Sequence, residues 1–136
     1  MTTVVTLPFP VSVNAMFADG KTRRHKSQRY ADWIQEAGWT LKSQRVIPVR
    51  GPVKLMYEVQ EGKDNRRRDI ANLEKGCTDL LVEFGIIEAD HDLIVRELTM
   101  VWNRDVQGVR VTIHPVSVNR VSEASLERKN EREYWR

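Results

Sequence analysis

The chain has 136 residues, 30% of them charged and 40% hydrophobic, with a net charge of +3 and one cysteine, Cys77. A chain of this length supports one core that hides roughly two thirds of its unfolded surface, so stability requires no disulfide or structural metal, and a lone cysteine supplies neither. The apolar runs are too short to cross a bilayer and the N-terminus lacks a signal-peptide pattern, which excludes a membrane span and sets a reducing cytoplasm as the expected compartment.

In chain order, "TTVVTLPFP" predicts a short strand ended by prolines, and "PVSVNAMFADGKTRRHKSQ" reads as a turn-like stretch. Ser27 is placed as an N-cap, and Tyr30, Trp33, Ile34, Ala37 and Leu41 then fall on one face of a helix. Gly38 inside that helix costs about 1 kcal/mol relative to Ala. After "GPV", the residues Val53, Leu55, Tyr57 and Val59 alternate with Lys54, Met56, Glu58 and Gln60, the period of a half-buried strand. A charged loop, "EGKDNRRR", leads to a second helix expected from about Ile70 to Phe84. Its buried face is Ile70, Leu73, Cys77, Leu80, Leu81 and Phe84, and Gly85 acts as its stop. The acidic "EADHD" precedes two strands, "LIVRELTMVW" and "VRVTIHPV".

The order β-α-β-α-β-β predicts a mixed α/β (α+β) domain over residues 1–116, a mixed sheet packed by two helices. Residues 117–136 carry nine charges in twenty and little apolar periodicity, and read as a solvated C-terminal tail. The basic excess is uneven. From Lys21 to Arg68 there are thirteen Lys and Arg against five Asp and Glu, a distribution that favours a polyanionic partner, nucleic acid first.

The densest positive charge lies in "RRRDIANLEK", residues 66–75. Asp69, where loop meets helix, serves either as a cap or as a ligand for a hard cation. A cap needs no cationic neighbours. Phosphodiester hydrolysis needs both signs, with carboxylates for Mg²⁺ and Arg or Lys for the phosphate. On a continuous helix Asp69, Asn72 and Lys75 share one edge, and Lys75 points away from the apolar stripe. Glu88, Asp90 and Asp92, with His91 among them, form a second acidic group between Gly85 and a strand read as buried, and are equally readable as a polar loop.

Residues 66–95, "RRRDIANLEKGCTDLLVEFGIIEADHDLIV", resemble the RusA family of Holliday junction resolvases. The family pattern is an arginine-rich run, then D-x-D-N-x-x-K, then an aspartate shortly before the next strand. "LPFPVSVNAMF", with Asn14, resembles the family's N-terminal signature, and together the match spans roughly Thr2 to Val116. The resemblance implies a small mixed α/β subunit acting as a homodimer on four-way DNA junctions. Each subunit would carry a Mg²⁺ site, with Mn²⁺ able to substitute. It assigns Asp69 and Asp90 to the metal, with Asp92 as fallback, and Lys75 as the catalytic lysine. Arg66, Arg67, Arg68 and Asn72 fall to DNA, joined by Asn14, and the basic excess adds Arg23, Arg24 and Lys26 to the expected DNA contacts.

One position departs from the pattern. Ala71 stands where the family has its second aspartate, and a methyl group offers no oxygen to a hard cation. Three explanations stay open: a divergent natural member, a chain mutated to trap DNA uncut, or a sub-lineage using Glu74 or Asp92 instead.

Overall fold

Strand alternation organises the centre of the molecule. The computed structural model describes residues 2–117. In it, Val53, Leu55, Tyr57 and Val59 are wholly buried along one face of a strand, Val53–Gln60, while Lys54, Met56, Glu58 and Gln60 occupy the other face. That strand, β4, is the fourth of six and lies inside a four-stranded mixed sheet. Numbered along the chain, β1 is Thr3–Leu7, β2 Phe17–Asp19, β3 Arg24–Lys26, β5 Val95–Asn103 and β6 Val109–Pro115. The sheet order is β1-β6-β4-β5. β6 runs antiparallel to both β1 and β4, and β5 runs parallel to β4.

A parallel neighbour requires a crossover, and the segment between β4 and β5 supplies it with helix α2, Lys75–Glu83. The first helix, α1, is Gln28–Ser43. Ser27 caps α1 as expected, its Oγ accepting from the Tyr30 N–H at 3.2 Å and donating to the Ala15 carbonyl at 2.6 Å. Tyr30, Trp33, Ala37 and Leu41 of α1 join Cys77, Leu80 and Leu81 of α2 and the inner face of the sheet in one core. The domain is mixed α+β, with both helices contributing to that core. Gly38 has a packing reason. A Cβ there would lie 2.5 Å from the Phe84 ring, so the two elements approach only because the side chain is absent. Gly85 stops α2 at φ +70°, a conformation costly for other residues.

Three expectations are corrected. The stretch read as a turn holds a 3-10 turn, Val13–Ala15, and an exposed two-stranded hairpin of β2 and β3. Its strands are three residues long and mostly charged, so no apolar alternation announces them. The second helix is not continuous from Ile70. A 3-10 turn, Ile70–Leu73, comes first, with the Asn72 N–H bonded to the Asp69 carbonyl at 3.1 Å, and α2 starts only at Lys75. The strand after the acidic loop is not buried: β5 is an edge strand with Leu98, Val101 and Trp102 each more than a third exposed.

The short connection from β5 to β6 passes over the end of β4. Gln60 N–H bonds the Gly108 carbonyl at 2.9 Å and Glu61 N–H the Asn103 carbonyl at 3.2 Å. The arginine loop therefore leaves the sheet from a fixed point. Among the described residues no helix is long and apolar enough to cross a membrane. The tail assigned to residues 117–136 lies, beyond Ser117, outside the described residues.

Candidate functional site

Three segments distant in sequence meet around a cavity of about 370 Å³. The Pro-rich turn after β1 contributes Phe9, Ser12 and Asn14, α1 contributes Arg29, and the loop before α2 contributes Arg66 through Asp69 together with Asn72. Trp33 fixes the first segment against α1, its indole N–H donating to the Pro8 carbonyl at 3.2 Å.

Asp69 has the extended backbone of a cap residue, yet its side chain makes no capping bond. Among the described residues its carboxylate has no hydrogen-bond or ion-pair partner, and it lines the cavity beside three arginines. The capping alternative is therefore absent from this structure. Asn72 sits one 3-10 turn along and lines the same cavity.

The arginines are not equivalent. Asp64 receives two hydrogen bonds from Arg68, at 2.7 and 2.8 Å, and a third from the Arg66 backbone N–H at 2.9 Å. One carboxylate thus shapes the loop. The Arg68 hydrogen bonds hold the Asp64 carboxyl well below the usual range, and Asp64 in turn raises the Arg68 pKa. Arg68 also lies 4.9 Å from the centre of the Phe9 ring, and Lys63 lies 4.5 Å from it. Arg66, Arg67 and Arg29 make no ion pair among the described residues.

Lys75 is not among the residues that line the Asp69 cavity. Its Nζ lies 3.0 Å from Asp79 and 3.9 Å from Asp90. Its hydrogen bond to Asp79 raises its pKa, with Asp90 and Glu74 adding to the effect, so the ammonium is firmly charged. Lys75 and Asp90 are thus within ion-pair reach of each other.

Glu74 is committed elsewhere. It accepts from the Thr78 hydroxyl, which meets the Tyr57 hydroxyl at 2.5 Å in the core. Thr78 has one proton and gives it to Glu74, so Tyr57 donates to Thr78. Glu88 accepts from the Gly51 N–H at 3.2 Å, holding the approach to β4. His91 Nδ1 accepts from the Leu93 N–H at 3.3 Å, a local turn bond. Asp92 accepts from Arg96 through its backbone carbonyl, at 2.6 Å, and leaves its carboxylate exposed.

Among the described residues no three His, Cys, Asp or Glu side chains converge as a metal cage. Mg²⁺ needs no such cage, since one or two carboxylates suffice when water and substrate phosphate complete its shell. The carboxylates of Asp69, Asp90 and Asp92 are all exposed, Asp69 in the cavity and Asp90 beside Lys75. Arg23, Arg24 and Lys26 sit apart on the β2–β3 hairpin, where Arg24 lies 5.3 Å from the centre of the Phe17 ring and Lys26 lies 5.9 Å from that of Tyr30.

A family model described as Endodeoxyribonuclease RusA matches residues 8–114. The chain belongs to the RusA family. The RusA match takes in all three segments that line the cavity and the Lys75 cluster. No curated protein matches the chain. Sequence reasoning missed four residues of this candidate site: Arg29, Phe9, Asp64 and Asp79. Asp79 was within reach, since an acid four residues after a lysine on a helix is an expected pair. Asp64 carries the same spacing to Arg68, but in a loop, where spacing predicts no contact.

Proposed function

We propose that this RusA-family chain is a structure-selective endonuclease that nicks four-way DNA junctions as a homodimer, with Mg²⁺ as its metal and Mn²⁺ able to replace it. The observation that carries this reading is the unpaired Asp69 carboxylate set among Arg29, Arg66 and Arg67 in one cavity. A phosphate entering there meets cations that neutralise it and a carboxylate able to hold a metal beside it. When bound, the metal would neutralise phosphate charge and lower the pKa of the water that attacks phosphorus.

The residues of the chain divide the remaining work. Arg66 and Arg67 hold the backbone, and Asn72 orients the Asp69 carboxylate or a water on it. Lys75, kept cationic by Asp79, offsets charge that develops on the phosphate or leaving oxygen. Asp69 and Asp90 would be the carboxylates that hold the metal. Two nicks of matching geometry call for two equivalent sites, which a closed two-fold dimer provides. The exposed Leu98 and Val101 on edge strand β5 support a second copy binding there.

A second reading rests on Ala71. It is exposed next to the site and adds no oxygen, so the protein binds junctions but cuts them poorly. A labelled four-way junction, incubated with and without Mg²⁺ in excess linear duplex, tests both readings. Metal-dependent paired nicks support the first, and junction-selective binding without nicks supports the second. Equal binding to junction and duplex overturns both.

A further inference from the structure

Arg66, Arg67 and Arg68 line a second cavity as well, of about 270 Å³, so the arginine run is a partition between two spaces. The first space holds Asp69. The second is lined by Trp102 and Lys63. Trp102 is 37% exposed at the end of edge strand β5, in register with the wholly buried Val59. One exposed aromatic residue needs no explanation by itself; Trp102 is set apart by the basic residues that share its cavity.

The charges around it narrow the chemistry. The two acids of this cavity are already paired, Glu61 with Arg104 at 3.4 Å and Asp64 with Arg68 at 2.7 Å. Lys63, Arg66 and Arg67 have no ion-pair partner among the described residues. An indole face with unpaired cations at its side suits a planar base attached to phosphates. Aromatic side chains take unstacked bases in this way without reading their sequence.

We propose that the Trp102 cavity receives one unstacked nucleobase from the junction crossover, stacked on the indole, while Arg66 and Arg67 hold its flanking phosphates. This rests on the junction reading above and adds a source of selectivity to it. Withdrawing a base from continuous duplex costs its stacking and pairing, and the cost is least where a neighbour is already lost. Strand exchange at the crossover creates such places and linear duplex does not. The base anchor also sets which phosphate crosses the arginine partition toward Asp69.

The test compares the parent protein with Trp102→Ala and Trp102→Phe. It measures affinity for a four-way junction and for linear duplex at several salt concentrations, with light scattering on each protein. Trp102→Ala is expected to lose about tenfold in junction affinity, which converts to about 1.4 kcal/mol and lies within the range for one stacked base. Its duplex affinity and salt slope should not change, and Trp102→Phe should keep most of the junction affinity. A 2-aminopurine placed at the crossover should be quenched by the parent and not by Trp102→Ala. Unchanged junction affinity in Trp102→Ala, or equal losses on junction and duplex, would overturn the stacking site while leaving the junction reading intact. A fall to monomer mass in Trp102→Ala would overturn it too, placing Trp102 between two copies of the chain. A parent without preference for junctions would overturn both readings together.

Discussion

Asp64 grips Arg68 through two hydrogen bonds of 2.7 and 2.8 Å, and so takes one member of the arginine run out of the pool of unpaired charge. The run therefore has two arginines free to neutralise phosphate. Replacing Arg66 and Arg67 by Ala should lower the log–log salt slope of DNA binding by about 2, at close to one unit per phosphate contact. Adding Arg68→Ala should change it little further. Asp64→Asn should do the reverse, releasing Arg68 and steepening the slope by about 1. Filter binding across a salt series measures all of these. A triple-Ala slope lower by 3 would mean that Arg68 leaves Asp64 to meet DNA.

The same pair gives a pH signature. The Arg68 hydrogen bonds hold the Asp64 carboxyl well below its usual range. A carboxyl depressed in the folded state adds stability above its unfolded pKa of about 3.9 and loses it as pH falls through the folded value. The melting temperatures of parent and Asp64→Asn should differ by a constant amount at neutral pH. That gap should narrow only in acid, below about pH 4. A gap that closes between pH 8 and 6 would place the effect on another group.

Much of this arrangement is legible in the sequence because burial imposes periods. The alternation of Val53 to Gln60 gives β4, and the spacing of Tyr30 to Leu41 with Ser27 before it gives α1. Strand pairing is less legible. The insertion of β6 between β1 and β4 follows from how the chain crosses β4, and no local pattern records it. The site shows the same division. Asp69, Asn72 and the arginines stand together in sequence and line one cavity, whereas Arg29 reaches it only because α1 packs beside them. The helix expected from Ile70 opens instead with a 3-10 turn, and α2 starts only at Lys75, a break that apolar spacing does not reveal.

The buried relay from Tyr57 through Thr78 to Glu74 should be measurable as coupling. Thr78→Val leaves the Tyr57 hydroxyl buried without a partner, at a cost of about 1–3 kcal/mol, whereas Tyr57→Phe removes that hydroxyl for about 1 kcal/mol. The double variant should cost less than the sum of the two. Urea unfolding of the four proteins checks this. Strict additivity would mean that the hydroxyls do not depend on one another.

The dimer reading predicts a mass. Leu98 and Val101 are 38% and 37% exposed on the edge strand, on opposite faces of the sheet, and charge placed at both should block a second copy. Light scattering should give a dimer for the parent and a monomer for Leu98→Glu combined with Val101→Glu. A monomeric parent at micromolar concentration, with junction binding intact, would remove the dimer from the mechanism.

Ala71 decides between cutting and mere binding. Asp69 and Asp90 can hold Mg²⁺ weakly, since the ion accepts one or two carboxylates with water and phosphate. Ala71 is exposed in the 3-10 turn between Asp69 and Asn72, so an aspartate there needs no repacking of the core. Ala71→Asp should raise Mg²⁺-dependent nicking at least about tenfold, equivalent to about 1.4 kcal/mol of barrier. Without metal, junction affinity should fall slightly, because a new negative charge then faces phosphate. The rival explanation is that another acid already supplies the missing oxygen. Glu74 is a poor candidate, since it is tied to Thr78, which leaves Asp92 with its exposed carboxylate. On that rival view the parent cuts well, Ala71→Asp gains nothing and Asp92→Ala abolishes activity. Single-turnover nicking by the parent, Ala71→Asp, Glu74→Ala and Asp92→Ala separates the two. Equal and robust rates for the parent and Ala71→Asp would show that the alanine does not limit the reaction.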